Sequence, residues 1–173
     1  MKEIALNILD IANNSIRAKC TLLEIKITES VKDNLLTLAI IDDGCGMDAT
    51  TLAKVTDPFF SSRTTRHIGL GVPFLKQHAE LAGGKFEITS TVGVGTNVFA
   101  TFVLNHPDRQ PLGDVPDVLL MLIASNPEID FYYSFTTDDD ELVFDTREIK
   151  KVLEGIPINS PEVLKMLKDM MVL

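Results

Sequence analysis

The chain has 173 residues, 45% of them hydrophobic and 24% charged, and a net charge of −9. That is enough for one full domain and a small appendage, and the longest apolar run, VLLMLIA at 118–124, is too short to span a bilayer. The negative charge is concentrated in residues 105–173, at −8 against −1 for 1–104, which argues against a nucleic-acid partner, whose phosphates select a basic face.

Residues 3–18 are predicted to form a helix. At about 100° per residue, Ile4, Ile8, Ile11 and Ala12 share one arc, and Asn7, Asp10, Asn14 and Arg17 share the opposite one. Leu6 does not fit the pattern. Residues 22–28 and 35–41 read as strands joined by a polar turn at 29–34. A short helix is expected over 48–54 with Asp48 as N-cap. The stretch 57–70 is rich in Ser, Thr and Arg without periodicity and reads as a mobile loop. A helix over 71–82 should end at Gly83-Gly84 in a left-handed cap. Strands 85–91 and 97–104 should pair across the glycine-rich turn at 93–96.

NHPDRQPLGD at 105–114 has the composition of a linker. A helix at 116–125, a hairpin from 131–135 to 142–144 and helices at 146–154 and 161–172 should follow. The first of these two helices starts at Asp145 or Thr146, and the second has Ser160 as N-cap and Pro161 in its first turn. This order predicts an α+β fold: a two-layer sandwich on a mostly antiparallel mixed sheet. Residues 1–104 form the main domain, 105–114 a linker and 115–173 a small acidic α+β extension.

Four motifs carry the chemistry: LDIANNSIR at 9–17, DDGCGM at 42–47, DPFFSSRTTRHIGLG at 57–71 and GVGT at 93–96. In the first, Asn14 offers a neutral amide oxygen, a hard ligand suited to Mg²⁺. Asp10, one turn earlier, is placed to orient or deprotonate a water, and Arg17 to meet phosphate oxygens. The alternative is a solvated face of an amphipathic helix. In the second motif, Gly44 and Gly46 let backbone approach a flat ligand. Asp42 at the strand end needs a polar partner, for which an adenine amine is suited. Cys45 reads as a small buried filler. Gly69 and Gly71 open a helix whose N-terminus suits phosphate, and His67 reads as a polar residue of the loop. Cys20 and Cys45 lack C-x-x-C spacing and the three histidines lack ligand spacing. A reduced, cytoplasmic compartment is therefore expected.

As a set the motifs resemble the gyrase, heat-shock chaperone, histidine kinase and mismatch-repair ATPase superfamily. They look most like the catalytic ATP-binding domain of histidine kinases. LDIANNSIR is similar to the N box, with Asn14 at the metal-ligand position, Arg17 at a phosphate-contact position and Asp10 where hydrolysing members carry a general-base glutamate. DDGCGM resembles the first glycine box, with Asp42 reading adenine and Gly44, Gly46 and Met47 beside it. DPFFSSR resembles the F box and the start of an ATP lid, which puts Phe59 and Arg63 at the nucleotide. HIGLGVPFLK resembles the second glycine box, bringing Gly69, Leu70 and Gly71. GVGT resembles the closing turn, with Thr96 supporting the adenine. The resemblance covers residues 3–104 and implies ATP and Mg²⁺ as ligands. No phosphoacceptor-histidine hairpin precedes the domain, so it implies a stand-alone domain phosphorylating a protein partner. A slowly hydrolysing or non-catalytic ATP switch is the alternative.

Overall fold

The structure, a computed structural model, describes residues 3–57 and 70–172. Phe59, Arg63, His67 and Gly69, and with them the body of the expected 57–70 loop, lie outside the described residues.

Helix α1 (Ile4–Arg17) buries Ile4, Ala5, Ile8, Ile11 and Ala12 along the expected stripe, and Leu6 stays 41% exposed. Strands β1 (Leu22–Ser30) and β2 (Leu35–Asp42) pair antiparallel, Ile25 opposite Ile40. Helix α2 (Ala49–Val55) starts at Asp48, whose side chain accepts the Thr51 N–H at 2.8 Å. Helix α3 (Gly71–Leu81) ends before Gly83, whose φ of +74° is the expected left-handed turn. Strands β3 (Phe86–Thr91) and β4 (Gly95–Val103) form the second hairpin, and β4 pairs with β2.

Helix α4 (Val115–Ser125), strands β5 (Asp130–Thr136) and β6 (Glu141–Asp145), and helices α5 (Thr146–Leu153) and α6 (Pro161–Met170) follow. Ser160 occupies the N-cap position of α6 but makes no capping hydrogen bond, and its Oγ is buried without a partner among the described residues. The capping expected there is therefore not observed, in contrast to Asp145, which accepts the Arg147 N–H at the start of α5.

The six strands of the described residues form one sheet in the order β3-β4-β2-β1-β5-β6. Among the described residues the β1–β5 pairing alone is parallel, Leu23 opposite Phe131. The fold is thus α+β on a mixed, mostly antiparallel sheet. Alternate residues of the central strands (Leu23, Ile25, Ile27; Leu36, Leu38, Ile40; Val98, Ala100, Phe102) point into the core, the period-2 pattern of a sheet with one covered face. The strands of 115–173 complete that sheet, and Leu119, Phe131 and Phe144 belong to the same core. The 111–112 segment also holds α1: the Pro111 and Leu112 carbonyls accept the N–H groups of Ile4 and Ala5 at 3.0 and 2.8 Å. These are two of the donors that a helix start leaves unpaired.

Candidate nucleotide site

The C-terminal half of α1, the end of β2, the loop after it, α2, the start of α3 and strands β3 and β4 surround a cavity of ≈ 170 Å³. Its wall is mostly apolar and includes Ile40, Met47, Val55, Val72, Ile88 and Val98; the polar groups are few and convergent. That is the composition of a small-molecule pocket.

Asp42 is the most constrained of these groups. Its Oδ2 accepts the Ser15 hydroxyl at 2.6 Å and its Oδ1 accepts the Gly44 N–H at 2.9 Å. Each carboxylate oxygen keeps acceptor capacity for another donor. Across the β2–β4 ladder Asp42 stands opposite Thr96. On that side Ser90 ties two strands and the 43–48 loop of the wall together. Its Oγ accepts the Met47 N–H at 2.8 Å and lies 3.1 Å from the Gly95 carbonyl and 2.8 Å from Thr96 Oγ1.

Two glycines make this closeness possible. A Cβ on Gly46, at φ +72°, would lie 2.0 Å from the Thr91 carbonyl oxygen. One on Gly95, at φ +144°, would lie 1.9 Å from the Asp42 carbonyl oxygen. Both positions exclude any side chain, on backbone conformation and on space alike. The Gly93 N–H donates to the Cys45 carbonyl at 2.7 Å, so the GVGT turn and the DGCG loop are directly joined.

Asp43 has a different task from Asp42. It accepts the N–H groups of Thr21 and Leu22 at 2.7 and 2.9 Å, and the Thr21 hydroxyl as well. Burial works against its charge, but these hydrogen bonds outweigh it and hold the carboxyl below its ordinary value. Asp43 thereby fixes the loop to the start of β1.

The polar arc of α1 divides. Asn14 and Arg17 line the cavity, and the Arg17 Nη1 donates to Asn14 Oδ1 at 2.8 Å. Asp10 is half-buried beside Gly71 and is not part of the cavity wall. A Cβ at Gly71 would stand 2.6 Å from the Asp10 Cβ, so α3 begins directly against α1 here. Burial raises the Asp10 carboxyl above its ordinary value, with Arg17 opposing. Asn7, expected on the same arc, is fully buried and donates to Gln110 at 3.5 Å. The 105–114 segment covers that end of the helix, which a helical-wheel reading of α1 alone does not contain.

Of the remaining motif residues, Gly46, Met47 and Thr96 line the cavity. Gly44 lies just behind it, where a Cβ would come within 2.8 Å of the Ala18 Cβ. Leu70 is the residue preceding α3 and Gly71 its first, buried residue. Cys45 is exposed and lines the cavity, not the buried filler the sequence suggested. Cys20 is the buried thiol, pushed up to about 11 by burial and by Asp42 and Asp43. Ser15, Ser90, Thr51 and Val72 are site residues that the motifs did not single out. Only Ser15 had a signal, its place beside Asn14.

A neutral amide oxygen at the mouth of the cavity fits Mg²⁺, which takes few protein ligands and keeps phosphate and water oxygens. Among the described residues no three acidic, His or Cys side chains cluster as a metal site.

Fold and site together define a nucleotide-binding α+β domain. The chain belongs to the histidine kinase-, DNA gyrase B- and HSP90-like ATPase family, whose model matches residues 2–106. Among curated relatives, it is 38% identical over 85 residues to a putative sensor protein of Shewanella frigidimarina, a match covering 49% of this chain and 13% of that protein. It is 32% identical over 108 residues to the signal transduction histidine-protein kinase AtoS of Escherichia coli, covering 62% of this chain and 16% of that one. The chain therefore spans far less than two thirds of these relatives. Among solved structures, the MutL ATPase domain of Aquifex aeolicus complexed with ADP superposes with a TM-score of 0.54 at 15% identity, covering 89% of this chain and 70% of that one. That likeness is one of fold. The chain is an ATP-binding domain similar to histidine kinase catalytic domains. No described helix is long and apolar enough to cross a membrane.

Proposed function

We propose that this chain binds Mg·ATP and transfers the γ-phosphoryl group to a protein partner, in the cytoplasm. The observation that carries the reading is Asp42, held by Ser15 and Gly44 in the wall of an apolar cavity that Asn14 and Arg17 also line. Asp42 accepts from the adenine amine, Thr96 supports the base from the opposite strand, and Gly44, Gly46 and Met47 form the wall along it. Arg17 meets phosphate oxygens, and the N-terminus of α3 at Leu70-Gly71 turns the positive end of its dipole toward them. Phe59, Arg63 and Gly69 are assigned to the same site by motif. Asn14 holds Mg²⁺, which when bound neutralises phosphate charge. Asp10 is the candidate to position or deprotonate the nucleophile. Residues 1–104 are the ATP-binding unit, 105–114 the connector, and the acidic 115–173 extension the part available to a protein partner rather than to nucleic acid.

The test is incubation with γ-labelled ATP and candidate partners. Label on a partner, lost in Asn14→Ala, supports phosphotransfer. ATP binding without label transfer leaves a second reading, an ATP-driven switch with slow or no hydrolysis. The hydrogen bonds from α1 to Pro111 and Leu112 favour that reading, because a shift of α1 on nucleotide binding would reach the 105–114 connector directly. Failure to bind ATP at all would reject both.

A further inference from the structure

Ser90 does not itself line the nucleotide cavity, but its hydrogen bonds decide what Thr96 can offer there. Its Oγ accepts the Met47 N–H at 2.8 Å, stands 3.1 Å from the Gly95 carbonyl and 2.8 Å from Thr96 Oγ1. A hydroxyl has one proton to give and two lone pairs to receive with. All three contacts are hydrogen bonds at once in a single arrangement. Ser90 gives its proton to the Gly95 carbonyl, and Thr96 gives its own to Ser90. With the Ser90 proton turned to Thr96 instead, the Gly95 contact would be lost. Thr96 lines the cavity, and with its proton spent on Ser90 it has lone pairs to offer a ligand. It stands opposite Asp42 in the β2–β4 ladder, and Asp42 is an acceptor too. The donors of the adjoining loop are already used. The Gly44 N–H goes to Asp42, the Cys45 N–H to the Ala18 carbonyl at 2.9 Å and the Met47 N–H to Ser90. A ligand edge that meets Asp42 and Thr96 therefore faces acceptors.

We propose that Ser90 is a positioning residue for base selection. By holding the proton of the Thr96 hydroxyl, it makes the site take a base with an exocyclic amine and reject one with a carbonyl in that place. The role rests on the nucleotide reading above and adds to it the residue that sets which base is taken. An amine has two N–H groups, one for Asp42 and one for Thr96. A carbonyl would bring another acceptor against these two, and acceptors left without donors inside a closed pocket are costly. Ser90 acts through Thr96 and does not meet the base.

Calorimetric titration of the full chain with three nucleotides tests this: ATP; inosine triphosphate, with a carbonyl in place of the amine; and purine riboside triphosphate, with neither. The parent chain should prefer ATP to inosine triphosphate. Ser90→Ala frees the Thr96 proton to turn toward a carbonyl, so that preference should fall by about 3–10-fold, the scale of one neutral hydrogen bond. A general loosening of the wall would weaken all three nucleotides alike and leave the ratio unmoved. Ser90→Thr restores the hydroxyl and should restore the parent ratio. In a Thr96→Val background, Ser90→Ala should not move the ratio further. An unchanged ratio in Ser90→Ala overturns the proposal, and so does a parent chain that binds ATP and inosine triphosphate equally well. A parent chain that binds none of the three rejects the nucleotide reading itself, and the role of Ser90 with it. Should Ser90→Ala fail to fold, Ser90→Cys, whose sulfur is a weak acceptor, takes its place with the same fall expected.

Discussion

Ser15 donates its hydroxyl to Asp42 Oδ2 at 2.6 Å, and this one bond joins α1 to the end of β2 inside the candidate site. It also sets the plane of the carboxylate. If Asp42 reads the adenine amine, Asp42→Asn replaces an acceptor with a group that can present a donor. ATP binding should weaken by roughly 1.5–3 kcal/mol, the scale of a charge-assisted hydrogen bond. Ser15→Ala should weaken it less, by about 1 kcal/mol, because the Gly44 N–H still holds Oδ1. Its penalty should vanish for purine riboside triphosphate, which lacks the amine. Calorimetry on both variants checks this, and unchanged ATP affinity in Asp42→Asn would remove Asp42 from the site.

Asn14 is the candidate metal ligand, and its amide oxygen accepts from Arg17 in the structure. Asn14→Ala should abolish the Mg²⁺ dependence of ATP binding while leaving metal-free nucleotide binding largely intact. Titrations with and without Mg²⁺ give the comparison. Magnesium tightening ATP in the variant as much as in the parent chain would rule out this ligand.

Most of the fold was legible in the sequence because period and punctuation agree. Leu23, Ile25 and Ile27 alternate, Asp48 caps, and Gly83 stops α3 where a positive φ is needed. What pattern alone does not contain is partner choice. Nothing in residues 130–136 says that β5 joins β1 in parallel, because that pairing depends on an edge left open far away in sequence. The site was legible where motifs fix backbone geometry: Asp42, Gly46 and Thr96 converge as their spacing implies. It was illegible where a role depends on a neighbour from another element. Asn7 disappears under Gln110, Asp10 lies against Gly71 outside the cavity wall, and Ser90 enters only because β3 runs beside β4.

The Asp43 carboxylate gives a pH dependence with a definite sign. Its folded value lies below the ordinary 3.8. Such a group contributes stability that is fully present above the unfolded value and is lost as pH falls through the folded one. Acid unfolding of the parent chain should therefore steepen below about pH 4. Asp43→Asn, with no charge to lose, should be less stable at neutral pH and should converge with the parent chain in acid. Denaturant melts from pH 7 down to 3 provide the measurement. A constant offset between the two across that range would show that Asp43 contributes no titrating hydrogen bonds.

Asp10 is an acidic side chain on α1 one turn from Asn14, and burial raises its carboxyl. A raised value brings a carboxylate nearer the working pH of a general base. Yet Asp10 stands beside Gly71 and outside the cavity wall, on a shorter stem than glutamate. Reach, rather than basicity, then limits it. We expect slow hydrolysis by the parent chain and a modest gain in Asp10→Glu, whose extra methylene carries the carboxylate further from the helix. If Asp10 already acts as the hydrolytic base, Asp10→Asn should lower the ATPase rate by about 10²–10⁴-fold with binding nearly intact. If it only shapes the site for phosphotransfer, the basal rate will be low and Asp10→Asn will change it little. Steady-state phosphate release from the three proteins at saturating ATP separates these cases. A fast parent ATPase that Asp10→Asn leaves untouched would place the base on another residue.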